Sequence, residues 1–355
     1  MAYTTIDNPE LYFQTKIYTG NAGDGSGTTQ SVTFDSSEDM QPDFVWLKER
    51  AGGADHRVFD SVRGTQKVLR TNATSAEGSG DALTAFNSNG FTLNDSQNAN
   101  ENGMTMVSWN WKAGGSASSN SNGSITSSVS ANTTAGFSIV AYTGNETAGA
   151  TVGHGLGAVP QTYWVKSRSV GDGWRVYHDK VSSDPETDYL VLNNTNAVAD
   201  SHGYWNDTAP TSNVFSLGAA GEVNTNGSTN IAYCFTEIKG FSKFGKYTGN
   251  GNADGTFVYT GFKPALVIRK RSSGTESWQV HDNKRDTFNV VYHRLLAEDS
   301  GSEYTSASNQ LDFLSNGFKM RATQDGGNAS GSTYIYMAFA ESPFVNSNGV
   351  PNNAR

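Results

Sequence analysis

The segment Thr333-Tyr334-Ile335-Tyr336-Met337-Ala338-Phe339 carries the fold of this chain in its alternation. On an extended strand Ile335, Met337 and Phe339 take one face and Tyr334, Tyr336 and Ala338 the other. Both rows are apolar or aromatic, the pattern of a strand covered on both sides, between packed sheets or at a subunit contact. Phe137 to Tyr142 alternates in the same way, and Val107, Trp109 and Trp111 form a one-sided aromatic row. Turn chemistry separates such runs, as in Ser88-Asn89-Gly90, Thr225-Asn226-Gly227 and Ser315-Asn316-Gly317. No long stretch carries an apolar stripe at helical spacing. The reading is all-β, built of antiparallel sandwiches.

Outward from these strands the chain repeats itself. Tyr18-Thr19-Gly20-Asn21 returns as Tyr142-Thr143-Gly144-Asn145 and Tyr247-Thr248-Gly249-Asn250. Phe44 to Arg50 corresponds to Thr162 to Arg168 and, counted from the next tetrad, to Ala265 to Arg271. Arg57-Val58-Phe59-Asp60 then matches Arg175-Val176-Tyr177-His178-Asp179 and Gln279-Val280-His281-Asp282. Each set closes on an aromatic strand: Met104 to Trp111, Asn230 to Phe235, Thr333 to Phe339. The interval is far longer than the about 20–50 residues of a solenoid repeat, so the sequence predicts three tandem antiparallel β-sandwich (jelly-roll or concanavalin-like) modules. Their expected bounds are 1–113, 136–241 and 242–355. Residues 114–135, rich in Gly, Ser and Asn, are expected to be a flexible tether, with the last two modules packed as a pair and the first looser.

Composition narrows the function classes. The chain has 355 residues, 35% hydrophobic, yet it holds 18 Phe, 15 Tyr and 7 Trp, enough aromatic area for compact cores with few aliphatics. A net charge of −9 opposes a phosphate backbone. The short basic run Arg269-Lys270-Arg271 reads as a solvated strand face, so no nucleic-acid partner is expected. Cys234 is the single cysteine, expected buried and inert, without a disulfide. No basic-then-apolar leader and no membrane-length apolar run is present, so no membrane insertion is expected, and the single cysteine suits a reducing compartment.

The recurrent polar residues offer candidates for chemistry. Asp60, Asp179 and Asp282 follow the same strand and are the basis of a polysaccharide-depolymerase alternative, since paired carboxylates hydrolyse glycosides. Their recurrence in every repeat, and the lack of closely spaced acids on one strand, point instead to a structural task. His56, His178 and His281 are read as near-equivalent, hydrogen-bonded strand-end residues. No spacing suits a metal, and the acid-rich loop Asp184 to Asp188 lacks the order of a calcium loop, so neither metal nor cofactor is expected and the chain is read as non-enzymatic. Gly153-His154-Gly155-Leu156-Gly157 is read as a turn, since a strand and not a helix follows it. Trp46, Trp164, Trp174 and Trp278 recur and are expected in the core. Tyr204 and Trp205, in a polar loop, are the candidate ligand-binding pair, because an exposed aromatic stacks on sugar rings.

The ordered set Leu11 to Asn21, Gln41 to Lys48, Asp60-Ser61-Val62-Arg63-Gly64, Ser108 to Gly115 and Gly153 to Pro160 resembles tail-fibre-like virion proteins of bacteriophages from aquatic environments. The resemblance covers nearly the whole chain and implies a concanavalin-like sandwich in a virion component, a tail fibre or a capsid decoration. The implied partners are other virion proteins, further copies of the chain (a trimer favoured) and host cell-surface polysaccharide; a free-standing lectin is the alternative without a particle. The third repeat departs from the pattern, with Val267-Ile268-Arg269 where the others read Trp-Leu-Lys or Trp-Val-Lys.

Overall fold

A computed structural model describes residues 3–22, 25 and 27–352. The first third holds β1 (Phe13–Thr19), β2 (Gln30–Thr33), β3 (Phe44–Glu49), β4 (Arg57–Asp60) and β5 (Lys67–Val68). It continues with β6 (Gly78–Ser79), β7 (Leu83–Asn87), β8 (Gly90–Leu93) and β9 (Thr105–Trp111). The middle third holds β10 (Ser118–Asn120), β11 (Ser127–Asn132), β12 (Phe137–Thr143), β13 (Ala150–Gly153) and β14 (Thr162–Ser167). There follow β15 (Arg175–His178), β16 (Asp188–Val191), β17 (Ala199–Asp200), the helix α1 (His202–Trp205), β18 (Val214–Leu217), α2 (Gly221–Asn224) and β19 (Thr229–Phe235). The last third holds β20 (Ser242–Thr248), β21 (Phe257–Tyr259), β22 (Phe262–Arg271) and β23 (Gln279–Asp282). It ends with β24 (Leu295–Leu296), β25 (Leu311–Leu314), β26 (Gly317–Met320) and β27 (Thr333–Pro343). The molecule is all-β, and every named strand pair is antiparallel.

The same wiring appears three times. The large sheets run β1-β9-β3-β4, then β12-β19-β14-β15 within a longer sheet, then β20-β27-β22-β23. A smaller sheet, β2-β8-β7, β13-β18 or β21-β26-β25, lies over one face of each. In the first two thirds that face builds a private core: Val32, Phe91 and Leu93 against Val45, Leu47 and Phe59, and Val152, Phe215 and Leu217 against Tyr163, Val165 and Tyr177. Alternate residues of the three large sheets point the other way, into one shared core. Phe44, Trp46, Trp109 and Trp111 meet Trp164, Tyr233, Phe235, Ile268, Met337 and Phe339 there. Ring pairs cross between the thirds, Phe44 to Tyr233 at 4.6 Å, Trp46 to Trp164 at 5.9 Å, Trp111 to Phe339 at 5.3 Å and Phe235 to Phe339 at 5.9 Å. The doubly apolar alternation of the closing strands thus has two causes. One face meets the repeat's own small sheet and the other meets the neighbouring repeats.

Three expectations change. Residues 114–135 are not a tether: β10 and β11 extend the middle sheet, with Val129 opposite Val140 and Ser130 opposite Ile139. The first repeat is not loose, because its Trp and Phe side chains form the shared core with both others. The third repeat aligns one residue later than its sequence suggested. Phe44 faces Trp111, Thr162 faces Phe235 and Leu266 faces Phe339, so Trp46, Trp164 and Ile268 are equivalent, as are Lys48, Lys166 and Lys270. The ladder is irregular around Pro264, whose missing N–H interrupts it. It pairs in the same register on both sides, so the offset lies in the matching of residue types and not in an inserted residue. The offset puts Arg269 inward, where Leu47 and Val165 stand in the other repeats. It is fully buried rather than solvated, and its guanidinium donates to Asn309 O at 2.7 Å and Gly326 O at 3.3 Å.

Candidate functional site

The recurrent tetrad closes a turn on a buried asparagine. The amides of Asn21, Asn145 and Asn250 donate to the Oδ1 of Asn100, Asn224 and Asn328 at 3.1, 2.9 and 3.1 Å. The hydroxyls of Tyr18, Tyr142 and Tyr247 reach the carbonyls of Ala99, Val223 and Gly327 at 2.9, 2.7 and 2.7 Å. Glycine is required between them: a Cβ on Gly20, Gly144 or Gly249 would stand 2.2, 2.4 or 2.3 Å from a backbone carbonyl. The three asparagines were missed in the sequence, although each follows its tetrad by nearly the same distance.

A second recurrent position links each repeat to its neighbour. His56, Trp174 and Trp278 all precede the fourth strand of the large sheet. Trp174 Nε1 donates to Arg70 O of the first repeat at 2.8 Å, and Trp278 Nε1 to Val191 O of the second at 3.0 Å. His56 Nε2 lies 2.9 Å from Leu296 O of the third, while its Nδ1 accepts from Trp46 Nε1 at 2.8 Å. Accepting at Nδ1 leaves the proton on Nε2. Second to first, third to second, first to third: the bonds close a ring, so the chain has the connectivity of a trimer. Burial pushes His56 down to about 3, so its neutral form is the one built in.

Around this ring lie two charged relays and one neutral junction. Tyr233 Oη of the second repeat donates to Asp60 Oδ2 of the first at 2.6 Å. Asp60 also pairs with Arg63 Nε, Arg63 Nη1 reaches Glu77 at 3.1 Å, and Arg168 of the second repeat closes on Glu77 with two bonds of 2.9 Å. At the next junction Trp109 Nε1 of the first repeat donates to Asp282 Oδ2 of the third at 3.0 Å. Arg285 Nε binds Asp282 at 2.6 Å, Arg285 Nη1 meets Glu303 at 3.0 Å, and Arg50 of the first repeat grips Glu303 at 2.9 and 3.1 Å. The side chains of Asp60, Arg63, Asp282 and Arg285 are wholly shielded. Burial opposes the charge on Glu77 and Glu303, but the paired guanidiniums outweigh it and hold both carboxyls below the usual range.

At the third junction every charge is replaced. His178 occupies the position of Asp60 and Asp282, opposite Thr162 as they are opposite Phe44 and Leu266. Val181 stands where Arg63 and Arg285 do, and Met337 stands where Trp109 and Tyr233 do. Met337 has no hydrogen to donate, and His178 Nε2 lies instead 3.3 Å from Tyr336 O. The amide bonds of Glu77 to Arg168 O and Glu303 to Arg50 O are matched by Val198 N to Ser272 O at 3.1 Å, with neutral side chains. Burial pushes His178 down to about 4.

These positions correct the sequence alignment of the acids and histidines. Asp179 lies one residue beyond the equivalent of Asp60 and Asp282; it pairs with Lys180 at 2.8 Å, and burial raises its carboxyl. His56, His178 and His281 occupy three different positions, His281 standing where Phe59 and Tyr177 do. Tyr204 and Trp205 are not surface residues. Helix α1, capped by Ser201 and ended by Asn206 in the left-handed region, turns both inward. Trp205 is 0% and Tyr204 8% exposed; Trp205 Nε1 donates to Asp188 O, and Tyr204 packs on Arg175 and Tyr189. Neither ring has a face free for a sugar. Trp46, Trp164, Trp174 and Trp278 lie in the core. Among the described residues no group of His, Cys, Asp and Glu has metal-binding geometry.

The open groove between the first and second repeats, about 430 Å³, is lined by Asp43, Lys112 and Asn132. Its carboxylate already accepts from Ser61 Oγ and from the amides of Ala113 and Gly115. Comparison with curated proteins and with solved structures gives no match. A family profile spans residues 8–343, through all three repeats at once, and the chain therefore belongs to the family described as Domain of unknown function (DUF7483).

Proposed function

We propose that this chain is a non-catalytic structural component of a bacteriophage particle, a tail-fibre or capsid-decorating protein that makes contacts with other virion proteins. One observation supports it above the others: the recurrent polar side chains are engaged within the molecule. Asp60, Asp282 and His178 hold the repeats together, and the recurrent asparagines close turns. A hydrolase would need carboxylates facing a cleft, whereas Asp60 and Asp282 are sealed beside arginines. Contact with host glycans would have to use residues other than Tyr204 and Trp205. Gold labelling of purified virions with an antibody against this chain tests the reading. Label at the tail periphery or over the capsid is expected; unlabelled particles beside labelled cell lysate overturn it.

A further inference from the structure

The small sheets of the three repeats end in equivalent edge strands that are treated differently. Val32, Val152 and Val258 each face a phenylalanine, Phe91, Phe215 and Phe318, and point into the core. The residues on either side occupy the opposite face: Ser31 and Thr33 in β2, Thr151 and Gly153 in β13, Phe257 and Tyr259 in β21. Only in the third repeat are they aromatic, 45% and 50% exposed.

The edge of β13 is covered. Ile125 N donates to Thr151 O at 2.9 Å, Thr151 N to Ser124 Oγ at 2.9 Å, and Ser127 Oγ to Gly153 O at 2.8 Å. An extended segment thus satisfies the outward main chain of that strand. In the third repeat the opposite edge, β25, is likewise covered: Val291 exchanges both main-chain bonds with Leu311, and Asn289 brackets Phe313. β21 has no such cover. Bonds from Met320 N to Thr256 O and from Thr260 N to Asn316 O, both 3.0 Å, flank Val258 and place its main chain toward β26. Phe257 and Tyr259 therefore aim theirs outward, and no described residue accepts or donates there. Bare edges are usually protected by charge or proline; this one carries two aromatic rings.

We propose that β21 is a self-association edge, at which two copies of this chain pair antiparallel about a twofold axis through Val258. The pattern is self-complementary, since Phe257 of one copy then lies opposite Tyr259 of the other, twice, on the same outer face. Cross-strand aromatic pairs of this kind stabilise antiparallel sheets, and two three-stranded sheets become one of six. Charge does not oppose the approach, because Lys319, beside Phe257 in register, is neutralised by Asp254. Within the chain Tyr259 Oη meets Tyr3 Oη at 2.9 Å, and Tyr3 Oη donates to Gly261 O at 3.0 Å, which holds the Tyr259 ring at that edge.

Sedimentation equilibrium of the whole chain, up to about 1 mM, the weak limit of specific association, tests this beside the double variant F257S/Y259T. The variant copies Ser31 and Thr33 from the first repeat, so it keeps the fold, which circular dichroism checks. The expected result is a concentration-dependent dimer whose association weakens by about tenfold or more in the variant. A wild-type chain that stays monomeric throughout overturns the proposal, and so does a variant that dimerises as well as the wild type. Neither result depends on whether the chain belongs to a virion.

Discussion

A carboxylate sealed from water is stable only beside a cation that is itself satisfied, and Asp282 shows how completely that is met. It accepts from Arg285 Nε, from the amides of Lys284 and Arg285, and from Trp109 Nε1. Asp282→Asn keeps the shape but leaves the buried Arg285 guanidinium with Glu303 as its one remaining counter-charge. Urea unfolding should show a loss of about 3–5 kcal/mol; a loss below 1 kcal/mol would mean that Glu303 alone suffices. His178 gives the complementary case. His178→Asp places a carboxylate beside Val181 and Met337, where nothing pairs with it, and should cost a comparable amount. Adding Val181→Arg and Met337→Tyr should restore part of the loss, and a triple variant no more stable than the single one would refute the equivalence of the junctions. His178 also shows a limit of alignment by residue type. An acid one place downstream, Asp179, drew the sequence comparison off the position that the strand register identifies.

At the scale of elements, the segment from Gly114 to Ala135 shows what composition conceals. Small polar residues favour a flexible chain in isolation, yet a strand needs only main-chain partners, and β12 supplies them to β11 along six residues. Alternate side chains are buried as well: Val129 and Ser127 turn inward, and Ser130 Oγ accepts from Gly114 N at 3.0 Å. Amides of Ser128 to Ala131 that pair with β12 should therefore exchange as slowly as those of β12, by hydrogen exchange with mass spectrometry. Val129→Pro, which removes a donor from the ladder, should lower the urea midpoint. Fast exchange across the segment would restore the tether. Cys234, by contrast, conforms to its sequence reading: it lies fully buried in β19, and burial pushes its thiol up.

For the whole molecule the shared core makes the repeats interdependent. Each repeat alone would expose one face of its large sheet, Trp46, Trp109 and Trp111 in the first, so calorimetry should give one cooperative transition rather than three. Residues 136–241 expressed alone should lack a folded far-ultraviolet and thermal signature. Acid should open the molecule at moderate pH. His56 and His178 are held neutral by burial, at about 3 and about 4, against about 6.5 in the unfolded chain. The unfolded chain thus binds more protons between those values, and stability is lost as pH falls from about 6.5 toward 4. Each histidine contributes about 1.4 kcal/mol per pH unit, and burial depresses His154 and His281 in the same direction. Glu77 and Glu303, whose carboxyls are held below the usual range, add their loss below about 4.5. Urea midpoints that stay flat from pH 6.5 to 5 would contradict this ordering.

Local chemistry alone determined much of this protein. Period-two alternation specified strands, asparagine and glycine specified the turns, and repeated tetrads and closing strands specified three copies of one design. Those signals lie within a few residues of each other, where the geometry of a strand or turn fixes what each side chain does. Only the tertiary structure decided which face of each large sheet meets its own small sheet and which meets the other repeats, because strands such as Thr333 to Phe339 carry apolar residues on both faces. It also decided that Tyr204 and Trp205 turn inward, that Leu266 and not Ala265 stands where Phe44 and Thr162 do, and that charge links two junctions while the third is neutral. Each of those depends on partners outside the local segment, or on a main-chain register that residue identities do not encode.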